Sequence, residues 1–211
     1  SYIIDVYRGM YPPQRSLSRL LLYISFFPQL IAGPIVRYGD IAPALDEIKP
    51  DTHDAFRGVC RFARGLGKKV LISNYCAAAV AALDALTGAP ALTTVWARAL
   101  LFTLQIYFDF SGYSDMAIGL GRMLGFDFPE NFNYPFVSAS ATEFWRRWHI
   151  SLSSWFRDYL FYPVLRSRAM NSLSRSLRAH GHKKAARAAI TVTALLCVWS
   201  ATGLWHGASW N

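Results

Sequence analysis

The chain has 211 residues, of which 53% are hydrophobic, 15% aromatic and only 17% charged. Soluble domains carry about 25% charged residues, so this composition argues against an ordinary soluble domain and for an all-α, multi-span membrane protein. The net charge of +9 comes from basic residues that flank apolar runs, which favours contact with membrane lipids over binding to nucleic acid.

The run from Leu17 to Val36 is apolar but interrupted by Pro28, Gln29, Gly33 and Pro34. Proline removes a backbone donor and restricts its predecessor, so Phe26–Pro34 is expected to be kinked or re-entrant and to line a cavity, with Pro28 and Gln29 at its turn. Arg37–Arg57 reads as a polar loop with a short helix. Arg57–Lys69 reads as a basic interfacial helix leading into an alanine-rich span, Val70–Leu86. Thr87–Pro90 is a turn.

Ala91–Phe126 is too long for one upright span and must tilt strongly, protrude or break, with Ser111-Gly112 as the natural place for a break. Asp109 and Asp115 flank that break. Acids in an apolar run either line a polar interior or pair with cations such as Arg98 or Arg122.

After a loop over Phe128–Ser140, Thr142–Leu160 has helical periodicity. Trp145, Trp148, Leu152, Trp155, Phe156 and Tyr159 share one face. His149 falls beside that face, and Glu143 with Arg147 forms an (i, i+4) ion pair. Residues Arg166–Arg187 contain seven Lys or Arg and no acid, which places this loop in the cytoplasm. His180 and His182 within it read as solvated. The last apolar run is the 18 residues Ala188–Trp205, followed by His206-Gly207. A histidine at the edge of hydrocarbon is a functional candidate, and its proton moves near neutral pH.

Cys60, Cys76 and Cys197 show no metal-ligand or disulfide spacing and are expected to be buried structural thiols. No metal site is expected. The chain begins without methionine and stops just past His206, so it reads as an internal fragment, residues 1–211, of one membrane-embedded domain lacking spans at both ends.

Five segments in order carry a resemblance: FFPQLIAGPIVRY from Phe26, QIYFDFSGYSDMAIGLGRMLG from Gln105, FPENF from Phe128, EFWRRWHISLSSWFRDYL from Glu143 and GLWHGASWN from Gly203. Together they resemble the membrane-bound O-acyltransferase family. The nearest branch is the bacterial one, with the alginate O-acetyltransferase membrane subunit and the teichoic acid D-alanyl transfer protein. The resemblance implies a bundle around a central funnel and transfer of an acyl group, acetyl here, to a hydroxyl of an extracellular polysaccharide. It implies His206 as the catalytic histidine and His149 as the second. The chain departs from alginate-type relatives after Arg157-Asp158-Tyr159-Leu160, where a glycine-rich turn is replaced by Phe161-Tyr162-Pro163-Val164. That leaves another exopolysaccharide open as acceptor.

On this reading His206 acts as general base. Donors to the oxyanion are sought among the Trp205 and Trp210 indoles, Asn211, Arg146 and Arg147. The family implies no bound cofactor, an acetyl-coenzyme A or carrier-protein thioester as donor, a periplasmic or extracellular acetyltransferase partner and the bacterial inner membrane as location. The rival class is a membrane transporter or lipid scrambler using Asp109 and Asp115. A soluble serine hydrolase is ruled out by the lack of a Gly-x-Ser-x-Gly elbow.

Overall fold

A computed structural model of the chain describes residues 1–30, 33–46, 51–86 and 89–207. It is 78% helical without a strand among the described residues, which makes the fold all-α. Two units form, residues 1–151 and 152–211. Two helices are long and apolar enough to cross a membrane, residues 52–84 and 183–206.

The first unit opens with α1 (Tyr2–Tyr7) and α2 (Leu17–Ser25). The Ser16 hydroxyl caps α2 by accepting from the Arg19 N–H at 3.4 Å. At Phe26 the backbone turns extended, and a separate single turn, α3 (Phe27–Leu30), follows. The expected interruption at the proline segment is therefore present, although Ile31 and Ala32 lie outside the described residues. Helix α4 (Tyr38–Asp46) returns the chain to α1 and α2 through tyrosines. The Tyr38 ring meets Tyr2 and Tyr23 edge-on at 4.9 and 5.4 Å. Beneath them Phe26, Val36, Ile41, Ile118, Phe126 and Phe128 form the buried core.

Helix α5 (Thr52–Gly67), a π-helical turn (Lys68–Ser73) and α6 (Asn74–Asp84) make one continuous rod. Asp51 starts it by accepting from the His53 N–H at 2.9 Å. The basic helix and alanine-rich span expected from the sequence are thus one element that begins at Thr52. Helix α7 (Leu92–Met123) packs antiparallel against the rod.

The predicted break at Ser111-Gly112 is absent, because α7 runs unbroken through it. It is about 48 Å long at 1.5 Å per residue. Those small residues instead let two backbones touch. A Cβ on Gly65 would stand 2.5 Å from the Gly112 carbonyl oxygen, and one on Gly58 would stand 2.7 Å from that of Gly119. Close approach of this kind is how helices associate where no hydrophobic force separates lipid from protein. The π turn adds one residue to the seam. Gly58 and Gly65 are seven apart, but the next small residue facing α7 is Ser73, eight further on, whose hydroxyl donates to the Gln105 carbonyl at 3.2 Å. Without the extra residue, bulky Ile72 would occupy that place.

In the second unit a π-helical turn (Arg157–Phe161) leads through α10 (Tyr162–Leu165) to α11 (Arg168–Ala179) and α12 (Lys183–His206). The basic segment 166–187 is thus largely helical and not a loop. Ser167 caps α11 by accepting from Met170 N–H at 3.3 Å. Its lack of apolar residues at spanning length still keeps α11 out of the hydrocarbon. His180 and His182 are exposed, as expected. Of the cysteines only Cys76 is buried; Cys60 and Cys197 are exposed, because each lies on the outer side of its helix.

Candidate active site

The expected helix Thr142–Leu160 is broken at its histidine. Helix α8 (Ala141–Arg147) is capped by Ser140, which accepts from Glu143 N–H at 3.2 Å. Trp148 is then extended, His149 takes a left-handed φ of 45°, and α9 (Ile150–Phe156) begins anew. The single amphipathic face drawn through this region from Trp145 to Tyr159 therefore does not exist. A left-handed residue other than glycine costs on the order of 1 kcal/mol and persists only where its surroundings hold it.

What holds His149 is the segment Phe128–Asn133. Phe132 and Trp148 form an isolated antiparallel bridge, in which Asn133 N–H donates to the Arg147 carbonyl at 2.9 Å. On the other side of the histidine, Ile150 N–H donates to the Asn131 carbonyl at 2.9 Å. The Asn131 side chain is fully buried. Its Oδ1 accepts from the Ser151 hydroxyl at 2.9 Å and from Ser151 N–H at 3.3 Å, and its Nδ2 donates to the Ser114 hydroxyl at 3.0 Å. The Ser151 Oγ in turn accepts from Ile35 N–H at 2.9 Å. One polar network thus ties α7, the loop after it, the proline segment and the start of α9.

The His149 ring is 6% exposed and stands edge-on to Phe110 of α7 at 4.6 Å. Phe132 packs on the same Phe110 at 5.0 Å and on Trp148 at 5.1 Å. His149 is therefore a buried, oriented imidazole, consistent with its sequence-based exclusion from solvent. Sequence reasoning missed Asn131, Ser114 and Ser151. The one visible sign was an asparagine within an otherwise aromatic and proline-rich loop.

The other expected site residues divide. The Arg147 guanidinium donates to Glu143 at 2.7 Å and to the Asn133 carbonyl at 3.3 Å, so the predicted ion pair forms and the arginine braces the loop. The Ala139 N–H and then Arg147 hold the Glu143 carboxyl below the usual carboxylate range. Arg146 is exposed. Pro28 is buried, and Gln29 Nε2 donates to the Tyr23 carbonyl at 2.6 Å while its Oε1 is buried with no partner among the described residues.

Asp109 and Asp115 are paired, but with other cations than Arg98 and Arg122. Asp109 meets Lys69; Asp115 accepts from Arg61 at 2.9 Å and from Lys68 at 2.6 Å. Arg98 pairs with Asp84 and Arg122 lies 3.5 Å from Asp127. The π turn presents Lys68 and Lys69 to the α7 acids, a placement invisible to a plain helical wheel.

In the second unit His206 forms the exposed last residue of α12, its ring edge-on to Trp205 at 4.7 Å. Gly207 ends the helix with φ of 138°, a conformation that L side chains rarely adopt. Asn211 and Trp210 lie outside the described residues.

Comparison with known proteins agrees with these features. The description of the membrane-bound O-acyltransferase family matches residues 14–181. The chain is 46% identical to a probable alginate O-acetylase of Azotobacter vinelandii over all of its own length and 39% of that protein's. It is 37% identical to a peptidoglycan O-acetyltransferase of Helicobacter pylori, covering 93% of the chain and 35% of the relative. It is also 34% identical to a teichoic acid D-alanyltransferase of Bacillus subtilis, covering 75% and 41% respectively. The chain spans about two fifths of the length of these curated relatives.

Proposed function

Because the chain belongs to the membrane-bound O-acyltransferase family, we propose that it is the histidine-bearing part of an enzyme that moves an acetyl group onto a hydroxyl of an extracellular polysaccharide. The observation that carries this reading is the identity of 46% along the whole chain to a protein named as a probable alginate O-acetylase. The departure after Leu160 leaves the acceptor polymer a matter for experiment.

In this mechanism His206 removes the proton from the sugar hydroxyl while its oxygen attacks the thioester carbonyl. The carbon–sulfur bond then breaks, the ester forms, and the thiolate leaves to be protonated. General-base assistance of this kind contributes about 10²–10⁴-fold. The small residues Gly203 and Gly207 flank the imidazole in sequence, which supports the approach of a bulky reactant. His149 is the second functional imidazole, and its strained, clamped backbone supports an orienting role. The donor is acetyl-coenzyme A or a carrier-bound thioester, and a periplasmic partner completes transfer to the polymer.

The setting is the bacterial inner membrane. Basic residues gather in the first half of the rod 52–84 and over 166–187, which supports a cytoplasmic position for these regions. The ion pairs of Asp109 and Asp115 weigh against the transporter reading, since both acids are neutralised by lysine or arginine.

The test uses the full-length protein, purified in membranes, with labelled acetyl donor and oligosaccharide acceptor. His206→Ala abolishes transfer while the protein keeps its unfolding temperature, and His149→Ala lowers kcat. Transfer that survives in His206→Ala, or substrate movement without acyl turnover in the unaltered protein, overturns the proposal.

A further inference from the structure

Outside the histidine sites, a cleft of about 300 Å³ opens between the middle and last turns of α5 and the last turn of α7. Phe56, Arg57, Cys60, Arg61, Arg64 and Arg122 line it. Four guanidiniums face one small volume, and no carboxylate is among the residues that line it.

The compensation of these charges is uneven. Arg61 is anchored from behind by Asp115 and Glu130 and is 14% exposed, so it forms a fixed floor. Arg57 lies 4.0 Å from Asp54, both well exposed, and Arg122 lies 3.5 Å from an Asp127 that is 89% exposed. Pairs of this kind are worth little. Arg64 has no carboxylate partner among the described residues. The cleft therefore holds positive charge that the described residues leave largely unmatched.

Guanidinium groups present planar, multiple donors matched to phosphate oxygens. Arg64 stands six residues, about 9 Å of helix, before the apolar run that opens at Val70. That distance sets Arg64, at one end of the cleft, near the boundary between hydrocarbon and water. We propose that the arginine cleft is a binding site for a phosphate group presented at the membrane surface, with Arg57, Arg64 and Arg122 as its donors and Arg61 as its floor. This site does not depend on the roles assigned to the histidines.

Cys60, exposed on the cleft wall, is a built-in reporter. Full-length protein is placed in nanodiscs of phosphatidylcholine, with or without phosphatidylglycerol, and maleimide labelling of Cys60 is followed by site-resolved mass spectrometry. A cysteine introduced by Ser172→Cys, at an exposed position of α11, serves as the reference thiol. In a second arm, inorganic phosphate or coenzyme A is titrated into phosphatidylcholine nanodiscs.

Slower labelling of Cys60, but not of the α11 reference thiol, with phosphatidylglycerol alone identifies a lipid headgroup. Slower labelling on adding coenzyme A or phosphate identifies a soluble phosphate. In either case Arg64→Gln weakens protection about tenfold, equivalent to about 1.4 kcal/mol, and Arg57→Gln/Arg64→Gln abolishes it. Equal labelling in every arm, or undiminished protection in the double variant, overturns the proposal.

Discussion

Replacing Asn131 by alanine tests whether the clamp around His149 is what keeps that residue in its left-handed conformation. The substitution removes three side-chain hydrogen bonds, to Ser114 Oγ, Ser151 Oγ and Ser151 N–H. Each is worth about 1 kcal/mol net, and the stranded buried Ser114 hydroxyl adds to the loss. The sum is about 3–5 kcal/mol, several times the roughly 1 kcal/mol of strain stored at His149. The Asn131 side chain therefore outweighs that strain, and without it only the backbone hydrogen bonds donated by Ile150 N–H and Asn133 N–H are left to hold His149. Two measurements on the full-length protein check this: the free energy of unfolding in detergent, and the reactivity of His149 with diethyl pyrocarbonate, which its burial suppresses. The expected result is a loss of about 3–5 kcal/mol together with a reactive His149. A variant that loses less than about 1 kcal/mol and keeps His149 protected refutes the reasoning. A double-mutant cycle of Asn131→Ala with Ser114→Ala should give a coupling of about 1 kcal/mol.

The helix seam makes a paired prediction. Gly65→Ala drives a Cβ into the Gly112 backbone and should cost about 1–3 kcal/mol, whereas Gly67→Ala, with nothing within 4 Å, should be neutral or slightly stabilising; thermal unfolding distinguishes them. Asp115→Asn leaves Arg61 and Lys68 without their shared carboxylate and should destabilise by about 3 kcal/mol. Replacing Asp115, Arg61 and Lys68 together by apolar residues of similar size should recover most of that loss in the same unfolding assay. His206→Ala should lower acyl transfer by about 10²-fold or more without moving the unfolding temperature, read from donor consumption.

Much of the architecture was legible because composition and long periodic runs report on solvent. The apolar stretch before His206, the basic start of the rod at residues 52–84 and the interruption near Pro28 each follow from one local rule. The errors arose where partners decide. Ser111-Gly112 looks like a break in isolation, and only Gly65 across the seam makes it a point of contact. The periodicity of Thr142–Leu160 is helical throughout, and only the bridge from Phe132 and the hydrogen bonds from Asn131 break it at His149. Likewise Arg98 and Arg122 are the arginines nearest to Asp109 and Asp115 along the chain, yet a π turn on another helix supplies the cations that reach them.

That π turn also uncouples the two halves of the rod. Beyond it, every side chain of α6 is rotated by the angle of one residue, about 100°, relative to an uninterrupted α-helix. The cationic half can thus change its sequence to suit the water side, and the alanine-rich half can keep its own phase against α7. Loss of a single residue between Lys68 and Ser73 would turn Cys76 and Val80, both now buried, away from the neighbour they rest on, while leaving the glycine contacts below untouched.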